Sequence, residues 1–323
     1  MLKDLLEQRK GFKLVCGAGN EDAVEVEKLV TIYSKAGCAF FDVCAKPEIV
    51  DAAKRGIAKS GVKEPRYLCV SVGISGDPHI TKAVIDSDKC IKCGSCSEVC
   101  PHDAIIITDG YEIKRERCLG CSKCAKKCPV QAISMESQLM NYSEVLPALI
   151  DKGIDCIEFH AISEDEEDVD EKWCQINEYF DGLLCISLDR TELGDRRLKE
   201  RVLRMIEGRA PYSTIVQADG VAMSGNDDEL GTTLQAVATA QLFQNAKMPV
   251  YIMMSGGTNT KSTELAKSCG VYPHCLAVGS YARKIVKEYL KMDDILENEE
   301  ALNQAVIIAK SLIDISLENM KND

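Results

Sequence analysis

Eight of the 17 cysteines lie between Cys90 and Cys128, in two runs of one rhythm. The first is Cys90-x2-Cys93-x2-Cys96-x3-Cys100-Pro101, and the second is Cys118-x2-Cys121-x2-Cys124-x3-Cys128-Pro129. Thiolates are soft ligands, and three of them spaced by two residues can wrap one face of an iron–sulfur cubane. The fourth, after a short helical step, points towards a second cluster. The expected ligand sets are therefore crossed. Cys90, Cys93, Cys96 and Cys128 would take one [4Fe–4S] cluster, and Cys118, Cys121, Cys124 and Cys100 the other. The proline after each fourth cysteine stops the segment from continuing as helix. Zinc sites are usually built from two separated pairs, without this duplicated rhythm. His102, two residues past Cys100, reads as solvent-facing, with tuning of the neighbouring cluster as the alternative.

The other nine cysteines (Cys16, Cys38, Cys44, Cys69, Cys156, Cys174, Cys185, Cys269 and Cys275) are scattered, mostly in apolar stretches. They read as free thiols packed like small hydrophobes in a reducing cell. The start, Met1–Glu7, is amphipathic and lacks the apolar core and cleavage site of a secretory signal. No apolar run is long enough to cross a bilayer. The expectation is a soluble, cytoplasmic protein. A net charge of −12 argues against nucleic acid or an anionic membrane as partner.

The elements that must position these residues follow from the apolar pattern. Strands are expected at Phe12–Cys16, Cys38–Val43, Tyr67–Val72, Asp155–Phe159, Leu183–Leu188, Thr214–Ala218, Val250–Met254 and Cys275–Val278. Each is a short apolar run without strict alternation, as for parallel strands covered on both faces. Helical stretches separate them. One starts at Pro47, one at Ser143 and one near Ser163-Glu164-Asp165-Glu166, which has the form of a capping box. A last helix covers about Glu300–Asn319. Eight strand–helix units predict an α/β fold, a (β/α)8 TIM-type barrel interrupted after the third strand by a ferredoxin-like α+β domain. A doubly wound open sheet is the alternative. The expected domains are 1–82 (first part of the barrel), 83–138 (ferredoxin-like module) and 139–323 (remainder of the barrel and terminal helix). Within the module, Ile105–Ile107 and Tyr111–Ile113 read as a short hairpin.

Barrel enzymes place functional groups at the C-terminal ends of their strands. Polar residues there are Asp42 with Lys46, Glu158 with His160, Asp189 with Arg190, and Gln217 with Asp219. Each pair could equally be a structural ion pair or a cap. Glu158 and His160 are the best candidates for acid, base or ligand contact, because alternation turns both to one side of the strand. Ser255, Gly256, Gly257, Thr258 and Asn259 follow the seventh strand, and Gly279 and Ser280 the eighth. Loops at these two places often bind phosphate. They suggest a phosphate-bearing ligand, with flavin mononucleotide as one example; the alternative is that the glycines merely end strands.

Several segments resemble the light-dependent period (LdpA) family of iron–sulfur proteins. They are the cysteine runs preceded by Gly76-Asp77-Pro78-His79-Ile80, the stretch Gln217-Ala218-Asp219-Gly220-Val221-Ala222-Met223-Ser224-Gly225, and Gly231-Thr232-Thr233. Ser255-Gly256-Gly257-Thr258-Asn259 and Gly279-Ser280-Tyr281-Ala282-Arg283 complete the likeness. The resemblance implies redox sensing through the clusters, with no established enzymatic reaction. Two functions are weighed. One is electron transfer or redox sensing with a redox partner protein or electron donor, the barrel binding a ligand or a partner. The other is an oxidoreductase whose clusters feed a flavin or substrate at the barrel mouth. A homo-oligomer is compatible with either.

Overall fold

The computed structural model describes residues 1–74, 77–107, 110–137, 139–188, 190–220 and 229–320. Its strands are β1 (Gly11–Val15), β2 (Phe40–Cys44), β3 (Tyr67–Gly73), β4 (Thr81–Ile85), β5 (Ile105–Ile107) and β6 (Tyr111–Ile113). After these come β7 (Ile133–Ser137), β8 (Cys156–His160), β9 (Leu183–Leu188), β10 (Thr214–Asp219), β11 (Tyr251–Ser255) and β12 (Cys275–Val278). Eight of them close into a barrel in the order β1-β2-β3-β8-β9-β10-β11-β12. Closure is made by β1 and β12, which pair in parallel from Gly11↔Cys275 to Leu14↔Val278. The expected closed barrel is therefore present, and the open sheet is not.

Helices between the strands begin where the sequence supplies a cap. Asp22 accepts from the amides of Val24 and Glu25 at the helix Ala23–Lys35. Pro47 occupies the first position of Pro47–Ser60, where its missing N–H costs nothing. The expected capping box at Ser163 is displaced. Asp165 caps Glu166–Tyr179 through the amides of Glu167 and Asp168, while Ser163 Oγ only accepts from Asp165 N.

Alternation along the barrel strands divides the side chains into an outer and an inner set. Phe12, Leu14, Phe41, Val43, Val70, Ile157 and Leu184 face outwards and join the helices in one large core. The inner set forms a second core at the N-terminal end of the barrel, from Phe40, Cys69, Cys156, Cys185, Ile215, Met253 and Cys275. Leu2 and Leu6 of the first helix, Leu2–Glu7, plug that end. Seven of the nine scattered cysteines are buried as small apolar fillers, but Cys174 and Cys269 are exposed. Both of these sit on or just beyond amphipathic helices, whose outer faces meet water.

Between β3 and β8 the chain builds two antiparallel pairs, β4 with β7 and β5 with β6. Their small core includes Ala83, Ala104, Ile105 and Ile133 together with Cys96, Cys118 and Cys124. This insert rests on the loop after β1. Glu21 N donates to Glu116 O at 2.8 Å, and Arg117 Nε to Asp22 Oδ2 at 2.8 Å. A third tie is deeper. Lys82 is 1% exposed, and its Nζ donates to Gly19 O at 2.7 Å and Cys118 O at 2.8 Å, with Glu21 Oε1 at 3.1 Å.

Candidate iron–sulfur centres and the polar interior of the barrel

The two cysteine runs line two partly open pockets. Cys118, Cys121, Cys124 and Cys100 line the first, between Ile105, Ile113, Leu119 and Met135. Cys90, Cys93, Cys96 and Cys128 line the second, beside Ile85, Tyr111, Val130 and Ile133. The crossing arises from two short helices, Ser95–Glu98 and Lys123–Lys127, which carry each chain past its own cavity before the fourth cysteine. Backbone amides point at the sulfurs: Ala83 N to Cys118 Sγ at 3.4 Å, Ala104 N to Cys100 Sγ at 3.4 Å, Ala132 N to Cys128 Sγ at 3.2 Å. Such donors stabilise thiolate charge.

The donor sets suit a cluster better than a single zinc ion. Sulfurs ~2.3 Å from one zinc must lie within about 4 Å of each other. Among the described residues, the groups whose ligand atoms all fall within 4.8 Å contain none of these eight cysteines. Four thiols around one hydrophobic cavity, spaced too widely for one ion, fit a cubane. His102 is half-buried and lines the first cavity, rather than facing solvent. Burial lowers its pKa to about 3, helped by the nearby cations Arg283 and Lys287.

The second constellation fills the C-terminal half of the barrel. Lys13, in the middle of apolar β1, is turned inwards by alternation and is fully buried. Its Nζ is ion-paired with Glu158 Oε2 and lies 3.7 Å from Asp42 Oδ1. Ser71 Oγ donates to Asp42 Oδ1 at 2.8 Å. His160 stands between two carboxylates, with Nδ1 2.7 Å from Asp77 Oδ2 and Nε2 3.1 Å from Glu158 Oε1. Asp77 reaches it only because β3 ends in Gly73, where a Cβ would lie 2.0 Å from Asp77 Oδ2. Gln217 Nε2 donates to Glu158 Oε1 at 3.1 Å and to both oxygens of Asp219 at 3.2 Å. Ser187 Oγ donates to Asp219 Oδ2 at 2.6 Å.

The electrostatics of this layer are uneven. Burial would raise Glu158, but Lys13 and His160 outweigh it and hold its carboxyl far below the usual range. Asp77 is likewise held low by His160 and His79 against its own burial. Burial would lower His160, yet Asp77 and Glu158 drive its imidazole well above the ordinary value. Asp42 and Asp219 are pushed the other way, each up to about 6, chiefly by burial. The array can hold charge and bind polar groups, and its two flanking carboxylates favour the protonated form of the histidine.

Residues 148–315 match the light dependent period A C-terminal domain, and residues 83–135 match a 4Fe-4S dicluster domain. The chain is 30% identical to light dependent period A of Synechococcus elongatus, covering 96% of this chain and 92% of that protein. The chain belongs to the light dependent period A family. It carries iron–sulfur clusters in the segment of the dicluster match. Among solved structures, the tryptophan synthase alpha chain of Legionella pneumophila subsp. pneumophila has a TM-score of 0.46 at 11% identity, covering 99% of this chain and 96% of its own. The YdjI aldolase of Escherichia coli K12 has a TM-score of 0.46 at 8% identity, covering 98% and 91%.

The segments that carried the family resemblance can now be placed. Gln217 and Asp219 belong to the polar layer, and Gly220 packs against the loop after β11. A Cβ on Gly220 would lie 2.4 Å from Gly256 O, and one on Gly256 2.7 Å from Gly220 N. These glycines therefore have a packing role. Some of the donors expected to hold phosphate are engaged inside this light dependent period A family chain. Thr258 Oγ1 donates to Ala277 O, Asn259 N to Ser262 Oγ at 2.8 Å, and Asn259 Nδ2 to Thr233 Oγ1 at 3.3 Å. Ser255 is buried at the end of β11, and Gly257 O accepts from Thr233 Oγ1 at 2.9 Å. Gly279 and Ser280 open the six-residue helix Ser280–Ile285. The expected pairing of Asp42 with Lys46 does not form. Lys46 bonds Glu21 at 2.5 Å on the rim, because it caps the following helix instead of continuing the strand. Arg190 pairs with Asp195; Asp189, Gly76 and Val221–Gly225 lie outside the described residues. Sequence reasoning missed Lys13, Ser71, Asp77 and Ser187. The available signals were a lysine inside an apolar strand and the place of Asp77 in a motif that carried the family resemblance.

Proposed function

We propose that the chain is an electron-transfer or redox-sensing protein whose insert holds two [4Fe–4S] clusters with crossed ligation. The observation that carries this reading is the lining of each cavity by three cysteines of one run and the fourth of the other. Each cluster would supply reversible one-electron storage. Cys118, Cys121, Cys124 and Cys100 would hold the one against the barrel, and Cys90, Cys93, Cys96 and Cys128 the one farther from it. Anaerobically purified or reconstituted protein should contain about eight iron and eight sulfide per chain. A plateau at half that content, with one magnetic resonance signal, would count against two clusters.

Lys82 supports a functional tie between the first cavity and the barrel. Its buried ammonium touches the carbonyl of Cys118 and the loop after β1. A nearby cation favours the reduced, more negative cluster, and burial limits screening. Lys82→Met is therefore expected to lower the reduction equilibrium constant of that cluster roughly tenfold, which is ~59 mV for one electron. The other cluster should keep its potential. A redox titration followed by magnetic resonance reads both.

A second reading, an oxidoreductase with its ligand at the barrel mouth, draws on the charged layer around Glu158 and His160. Acid release distinguishes the two where the ligand is a flavin, because a freed flavin fluoresces and a cluster does not.

A further inference from the structure

Counting charges in the polar layer gives an imbalance among the described residues. Four carboxylates, Asp42, Asp77, Glu158 and Asp219, face two buried basic groups, Lys13 and His160, with the partly exposed His79 also beside Asp77. Asp77 and Glu158 are each tied to those cations. Asp42 has only the more distant share of Lys13, at 3.7 Å, so the surplus falls mainly on Asp42 and Asp219, the two carboxyls that burial pushes up to about 6. Unneutralised negative charge inside a protein is costly, so such a site favours either a proton or a positive occupant.

Two further atoms point to a ligand independently of charge. Asp42 Oδ2 and Gln217 Oε1 are buried acceptors with no hydrogen-bond partner among the described residues. The orientation of Gln217 is not arbitrary. Its amide nitrogen faces three carboxylate oxygens, so a flip would bring oxygen against oxygen. Oε1 is therefore held as an acceptor in want of a donor. Asp42 is 0% exposed, and its other oxygen is already engaged by Ser71. An orphaned buried acceptor is expensive to leave unmade.

We propose that the mouth of the barrel binds a small organic cation, a protonated amine with further N–H or O–H donors, which serves Asp42 Oδ2, Gln217 Oε1 and Asp219. An ammonium brings three donors and one positive charge, which matches both deficits. A divalent metal matches less well. Asp42 and Glu158 do lie close enough to share an ion with Cys69, but Lys13 is already paired with both carboxylates. At Asp77, His79 and His160, both ring nitrogens of His160 are occupied by carboxylates. An anion is disfavoured by the carboxylates of this layer. Asp219 Oδ1 lies 3.4 Å from the position of a Cβ on Gly256, directly under the loop expected to hold phosphate.

The test uses the full chain with its clusters, handled anaerobically, and follows thermal unfolding with increasing 2-aminoethanol at constant ionic strength. Tetramethylammonium, magnesium and inorganic phosphate serve as comparison solutes. Only 2-aminoethanol should raise Tm in a saturable way. Gln217→Met and Asp42→Asn should each weaken its apparent affinity roughly tenfold or more. Asp219→Asn, at the rim, provides a variant whose folding is less at risk, and should weaken it too. The cluster absorbance should be the same in all variants, so a failure of this site and a failure of the cluster assignment are read separately. Equal stabilisation by tetramethylammonium, stabilisation by magnesium or phosphate alone, or no effect of 2-aminoethanol would each overturn the proposal.

Discussion

Cys128→Ala is expected to abolish the same cluster as Cys93→Ala, and to leave the cluster associated with Cys118, Cys121 and Cys124. Along the chain Cys128 is nearest to Cys124, so a purely local arrangement would give the opposite result. The structure sends Cys128 into the cavity of Cys90, Cys93 and Cys96, because the helix Lys123–Lys127 ends one residue before it. Ala132 N then donates to its sulfur from the far side at 3.2 Å. Each variant should lose about four irons, half the content expected of a two-cluster protein. Iron analysis gives the amount, and the reduced-state magnetic resonance spectrum identifies the survivor. If Cys128→Ala and Cys118→Ala leave the same spectrum behind, ligation is not crossed.

Glu158→Gln is expected to destabilise the barrel by roughly 3–5 kcal/mol, since it leaves Lys13 buried without its main counter-charge. That is a large part of the 5–15 kcal/mol typical of a folded domain. At 2–4 °C per kcal/mol the fall in Tm is about 6–20 °C, measurable by far-ultraviolet dichroism. The substitution keeps the side-chain volume, so a cavity cannot explain the loss. A Lys13→Met, Glu158→Leu double variant should recover part of it, because no uncompensated ammonium then remains.

The pH dependence of this effect has a definite sign. Glu158 and Asp77 have depressed pKa values, so their contributions are present above the ordinary carboxylate range and vanish only as acid protonates them. His160 is raised, so its contribution is complete below its ordinary pKa of about 6.5 and is lost as pH climbs through the raised value. The gap between wild type and Glu158→Gln should therefore persist around neutrality and close in strong acid.

What was legible in the sequence followed from local chemistry. The spacing of the cysteine runs is itself the ligand geometry, since two intervening residues determine how far apart successive sulfurs can sit. The eight short apolar strands were legible for a similar reason: a strand covered on both faces has no polar side to interrupt it. Pro47 announced its helix because a proline nitrogen is harmless only in the first turn.

The barrel interior was not legible in this way. Lys13, Ser71, Asp77, Glu158 and Gln217 come from four separate parts of the chain, and no local pattern records that they meet. Glu158 and His160 stood out as a pair two residues apart on one strand, but their partners did not. Asp77 joins them only because Gly73 lacks a side chain at the point of crossing. The glycine loops show the converse. Read locally, Gly256–Asn259 offered amides and hydroxyls to a phosphate. In the fold, closure of the barrel brings Gly220, Thr233 and Ala277 against them, and places the Asp219 carboxylate beneath. Ligand spacing and strand burial are properties of neighbouring residues, so the sequence alone determined the iron–sulfur runs and the barrel class. The sign of charge at the mouth is a sum over residues that only barrel closure brings together, so the tertiary structure decided it.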